Sequence, residues 1–106
     1  MEVITFMEEL GLEPVLWNDE DAICQTLDDN RYAMITDLDG HEPQSLEEAL
    51  YWTLYEGDDF LWSVTLEDAQ QLAEVIRQYG PDPDAIVGKM ADIRAANIAA
   101  YEASLF

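Results

Sequence analysis

Only four of the 106 residues are Lys or Arg, one is His and one is Cys. Each shortage excludes something. Lys and Arg supply most of the phosphate contacts of nucleic-acid-binding proteins. With four of them against twenty-four acids, direct binding of DNA or RNA is not expected. Acidic lipid headgroups would repel the chain for the same reason. The single thiol, Cys24, cannot close an internal disulfide; it reads as a small buried hydrophobe and fits a reducing cytoplasm. The single histidine, His41, stands between Gly40 and Glu42 and reads as an exposed turn residue. There is no zinc-type spacing and no Gly-rich phosphate loop. No uncharged apolar run approaches the ~18 residues of a membrane span. The first residues, MEVITFMEELG, lack the basic and apolar regions of a signal peptide.

Apolar residues are plentiful. They make up 49% of the chain, with three Trp, five Tyr and three Phe, too many for a disordered acidic tail. Residues 1–106 therefore read as one domain, long enough to bury roughly two-thirds of the unfolded surface.

Val3, Phe6, Met7 and Leu10 recur at helical spacing before Gly11 and Pro14, which predicts a helix over 2–10. Val15–Trp17 reads as a short strand. Residues 21–27 fit either a helix or a strand. The turn chemistry of Asp28-Asp29-Asn30 and the alternation over 31–38 favour a hairpin. Ser45-Leu46-Glu47-Glu48 has the form of a capping box and predicts a helix from Leu46 to Gly57. Phe60–Val64 reads as a strand. Thr65 to Asp68 repeats the cap pattern before a helix that Gly80-Pro81 stops. Asp82-Pro83 opens a last helix, whose long apolar stripe Asn97 interrupts. The expected fold is α+β: a small antiparallel sheet of three to four strands packed against three to four helices.

The net charge is −20, and it is not evenly spread. Residues 1–68 carry nineteen acids and one base, a balance of −18; residues 69–106 carry five acids and three bases, a balance of −2. Adaptation of a proteome to high salt would spread acids over all exposed surface, whereas a binding face concentrates them. The acids also recur in clusters at roughly the length of one strand plus a turn, so an up-down chain returns alternate clusters to one pole. That pole is expected to gather Asp19, Glu20, Asp21, Asp37, Asp39, Glu42, Glu47, Glu48, Glu67 and Asp68. The opposite pole would gather Glu8, Glu9, Glu13, Asp28, Asp29, Glu56, Asp58 and Asp59. The plain alternative is solvated charge, since acids in a helix's first turn favour its dipole.

Asp37-Leu38-Asp39-Gly40 resembles the DxDG opening of haloacid-dehalogenase-type phosphatases. The downstream Lys and Asp-pair motifs of that family are missing, and one Lys in the chain supports phosphate poorly. The same stretch begins like a calcium loop, with Glu48 at the twelfth position, but Glu42 stands where Gly is needed. No metal, cofactor or catalytic residue is expected.

In size and charge pattern the chain resembles the small acidic inhibitors that phages direct against CRISPR and restriction systems. That resemblance implies a cytoplasmic, non-enzymatic protein that occupies a basic nucleic-acid-binding channel with a DNA-like acidic surface. The other readings are an immunity protein that neutralises a basic nuclease toxin and an acidic adaptor domain from a salt-adapted organism. The weakly charged C-terminal helix, with Ala95, Ala96, Ile98, Ala99 and Ala100, offers a surface for a homodimer.

Overall fold

The computed structural model describes residues 2–105. The order is α1 (Val3–Glu9), β1 (Glu13–Trp17), β2 (Glu20–Thr26), β3 (Arg31–Asp37), β4 (Leu50–Glu56), β5 (Asp59–Leu66), α2 (Ala69–Tyr79) and α3 (Pro83–Ala103). The five strands form one antiparallel meander in sequence order. The class is α+β as expected, with three helices, but the sheet has five strands rather than three or four.

The extra strand is β4, where the capping box predicts a helix. The box does form hydrogen bonds. Ser45 Oγ accepts from the Glu47 amide, and a Glu48 carboxylate oxygen accepts from the Ser45 amide. Those bonds hold a turn that does not propagate as a helix. Leu50, Trp52 and Leu54 alternate with Tyr51, Thr53 and Tyr55, and the first three are buried while the others are half-buried. A period of two, carried by aromatic and β-branched side chains, suits a central strand and would scatter large groups round a helix. Local capping gains of ~1 kcal/mol are outweighed by full burial of a Trp and two Leu at ~2 kcal/mol each.

The ambiguous 21–27 stretch is a strand, and Asp28 explains the turn after it. One carboxylate oxygen accepts the amides of Asn30 and Arg31 at 3.0 and 2.7 Å, fixing the β2–β3 hairpin. The second cap is displaced by three residues. Thr65 and Leu66 belong to β5, and Asp68 caps α2 by accepting the Gln71 amide. Asp82 and Pro83 open α3 as expected, with Asp82 accepting the Ala85 amide at 3.2 Å.

One sheet face carries Ile23, Ala33, Ile35, Trp52, Leu54, Val64 and Leu66, packed with Met7 of α1, Leu72 and Val75 of α2, and Ile86 and Met90 of α3. The one buried polar side chain, Gln25, accepts from Trp52 Nε1 at 2.7 Å and so satisfies the core indole. Asn97 is no defect in α3. Its amide donates to the Thr65 carbonyl at 2.9 Å, and Arg94 Nε donates to the Ser63 carbonyl at 3.2 Å. Together they cover the edge of β5, a strand edge that would otherwise recruit another chain.

Candidate functional site

In a meander the ends of β1, β3 and β5 and the starts of β2 and β4 share one end of the sheet. Asp19 lies in the β1–β2 turn, beside Asn18, and both adopt positive φ, which short polar side chains tolerate. Glu20 and Asp21 open β2, and Asp37 closes β3. Asp39, Glu42, Glu47 and Glu48 lie on the connection from β3 to β4, while Glu67 and Asp68 join β5 to α2. All ten anticipated residues therefore attach to this end. Reading β4 as a helix does not disturb that placement, because either element crosses the molecule once.

The closest grouping is a shallow depression of about 380 Å³ lined by Glu20, Asp21, Asp37, His41, Glu42 and Gln44. Glu42 and Glu47 also line a neighbouring depression of about 450 Å³, together with Glu2. The acids differ in their local duties. Asp37 accepts the amides of Asp39 and His41, both at 2.9 Å, and so builds the turn. Glu47 accepts from Ser45 Oγ, Glu48 accepts the Gln44 and Ser45 amides, and Asp68 caps α2. Asp19, Glu20, Asp21, Asp39 and Glu67 are exposed, and their carboxylates hold no hydrogen bond or ion pair within the described residues. Asp37 and Glu48 bound the calcium-like span, and each already accepts backbone amides. No group of three or more His, Cys, Asp or Glu among the described residues is arranged to hold a metal ion.

No Lys or Arg lines either depression. Arg77 is on α2, Lys89 and Arg94 are on α3, and Arg31 starts β3 at the opposite end. Arg31 makes the only salt bridges among the described residues, to Asp28 at 2.8 Å and Asp84 at 2.7 Å. Its guanidinium, with the Asn30 and Arg31 amides, holds the Asp28 carboxyl below its ordinary range; the two carboxylates in turn push Arg31 up. The opposite end carries Glu13, Asp28, Asp29, Glu56, Asp58 and Asp59, so it is acidic too but contains a neutralising base.

The outer side of the sheet holds a feature that sequence periodicity missed, formed by Trp17 from the end of β1 with Tyr32, Tyr55 and Phe60 from the opposite end. On the sheet face turned away from the core, Tyr32 and Tyr55 stack at 5.3 Å, Trp17 meets them edge-on at 5.9 and 5.3 Å, and Phe60 meets Tyr55 at 6.1 Å. A register shift between Leu54 and Tyr55 sets Phe60 opposite Tyr55 while Trp62 stays opposite Leu54. The unpaired residue is Leu61, so this bulge moves Phe60 to the outer face. Reading residues 46–57 as a helix hides Tyr55 from this cluster; strict alternation over Leu50–Tyr55 is the sequence signal that places it there. Beside the cluster lies a cavity of about 430 Å³ that includes Val15, Leu16, Trp17, Cys24 and Met34. Partial burial, reinforced by Glu13, pushes the Cys24 thiol up, which makes it a poor nucleophile at neutral pH.

No helix of the described residues is long and apolar enough to cross a membrane. Comparison with protein-family models, curated proteins and solved structures gives no match for this chain.

Proposed function

We propose that this protein is a non-enzymatic inhibitor that presents its acidic pole to a basic nucleic-acid-binding protein, in the cytoplasm, in place of DNA or RNA. One observation carries the reading. Glu20, Asp21, Asp37 and Glu42 converge on one depression from two strands and a loop, and no Lys or Arg lines it. Clustered carboxylates repel one another and oppose compaction; Asp37 builds its turn, but Glu20, Asp21 and Glu42, whose carboxylates hold no hydrogen bond within the described residues, add nothing to stability by gathering there. The gain lies in encounter with a positively lined cleft, where complementary charge raises association rates and excludes wrong partners. The partner class is a nuclease or a CRISPR or restriction complex, and self-association is left to the weakly charged α3.

The test is affinity capture from host cells followed by competition. The captured protein should bind duplex DNA or RNA, lose that binding when this chain is added, and release this chain steeply as salt rises. A partner that binds this chain and nucleic acid simultaneously would sink the proposal. Capture of a single nuclease toxin would identify an immunity protein, which uses the same charge complementarity. A chain that folds only in molar salt would instead mark its acids as salt adaptation.

A further inference from the structure

We propose that α3 pairs with α3 of a second copy of this chain, antiparallel, with the two-fold axis passing Ile98. Arg94 and Asn97 fasten α3 to the β5 edge, and β5 ends at Leu66. From Arg94 to Leu105 every residue is exposed, although Ile98, Tyr101 and Leu105 are large and apolar, at 42%, 66% and 62% exposure. Helical spacing sets Ala91, Arg94 and Ala95, Ile98, and Tyr101 and Glu102 on one flank of the helix, which ends at Ala103. An isolated helical stretch of this length is marginal in water.

The occupant is argued from charge and shape. In an antiparallel pair centred on Ile98, residues equally far before and after it face each other. Arg94 then meets the second copy's Glu102, and Glu102 meets its Arg94. Tyr101 lies over Ala95. The two oppositely charged residues are thus spaced symmetrically, the large Tyr101 faces a small side chain, and Ile98 meets its own copy on the axis. Asp92, the other charge on this stretch, lies about 120° round the helix from Ile98. A two-fold contact has to be self-complementary in this way. A basic protein would be drawn instead to the acids at the ends of the sheet. The strip is ~17 Å long and one helix wide, short of the ~1,200 Å² of stable interfaces, so the dimer is weak and concentration-dependent. Two bodies of net charge −20 repel, so it strengthens as salt screens them. That trend is opposite to the one expected for the acidic pole, and it keeps failure of either proposal distinguishable from failure of the other.

Sedimentation equilibrium on the full chain, from micromolar to millimolar and at low and high salt, tests this. The expected result is a monomer–dimer equilibrium that Ile98→Asp abolishes and that Glu102→Lys, by placing a like charge opposite each Arg94, weakens about tenfold. Circular dichroism should show both variants folded, since both positions are exposed. In a Cys24→Ser background, Ile98→Cys should cross-link to itself under mild oxidation. Ala96→Cys on the other flank and Leu105→Cys should not. A wild-type chain that stays monomeric at millimolar concentration in high salt would overturn the proposal. So would a dimer that survives Ile98→Asp, or efficient self-cross-linking at Leu105, which marks a parallel pair.

Discussion

Reversing four acids at the proposed binding pole should strengthen the fold and destroy its function together. The informative set is Glu20→Lys, Asp21→Lys, Asp39→Lys and Glu42→Lys. Asp37 is left intact because its carboxylate accepts the Asp39 and His41 amides and builds the turn. Each swap moves the net charge by two, from −20 to −12 for all four. Two charges ~10 Å apart in water repel by about 0.4 kcal/mol, and screening over a Debye length of ~8 Å lowers that to roughly 0.1. With several like neighbours each, four swaps relieve on the order of 1 kcal/mol, so the midpoint of urea unfolding should rise. Binding should change in the other direction and by more. An exposed ion pair contributes up to about 1 kcal/mol, so four reversed contacts cost about 4 kcal/mol, or nearly a thousandfold in Kd. The assay is competition between the variant and duplex DNA for the captured partner, alongside urea melts in the same buffer. Glu74→Lys with Asp92→Lys, exposed on α2 and α3, controls for bulk charge. The reasoning fails if the control pair weakens binding as much per substitution as the pole set, or if the pole set weakens it less than tenfold. A fall in stability for the pole set would refute the repulsion argument separately.

Three further outcomes follow from the fold. Gln25→Leu should cost about 1–3 kcal/mol, because it leaves the buried Trp52 indole without its acceptor; urea unfolding measures this. Asn97→Ala should cost about 1 kcal/mol and raise aggregation on light scattering, because it frees the Thr65 carbonyl on the β5 edge. Asp28 has a lowered pKa in the folded state, with the hydrogen bond to Arg31 as its largest cause. Its contribution is therefore complete above the unfolded value of about 4 and lost as pH falls through the folded one. The stability gap between wild type and Asp28→Asn should persist at neutral pH and narrow only below about pH 4; a gap that closes near pH 6 would contradict this.

The parts of the fold legible in the sequence are those where local chemistry and tertiary demand agree. Asp82-Pro83 opens α3, Asp28-Asp29-Asn30 turns β2 into β3, and Gly80-Pro81 follows α2. The parts that misled are those where they conflict. Ser45 to Glu48 forms its capping bonds and still leads into a strand, because burial of Leu50, Trp52 and Leu54 outweighs the cap. Asn97, an interruption by hydropathy, is an edge cover by contact, and no local pattern announces a partner more than thirty residues away. The bulge at Leu61 likewise exists only through pairing with β4, and it is what brings Phe60 to the outer aromatic cluster.

The acidic pole was legible for a different reason. Its location depends on the number of times the chain crosses the molecule and not on whether a given crossing is a helix or a strand. Misreading one crossing therefore left Glu47, Glu48, Glu67 and Asp68 at the same end as Asp37. What the sequence could not show is the division of labour among these acids. Asp37, Glu48 and Asp68 satisfy backbone amides and so serve the fold itself, whereas the carboxylates of Glu20, Asp21 and Asp39 satisfy nothing within it. A surface that acts through its field constrains the sum of charge and its placement and leaves individual positions free. Such a surface carries no motif that spacing could reveal, and under the proposed function the acids without internal partners are the ones on which it depends.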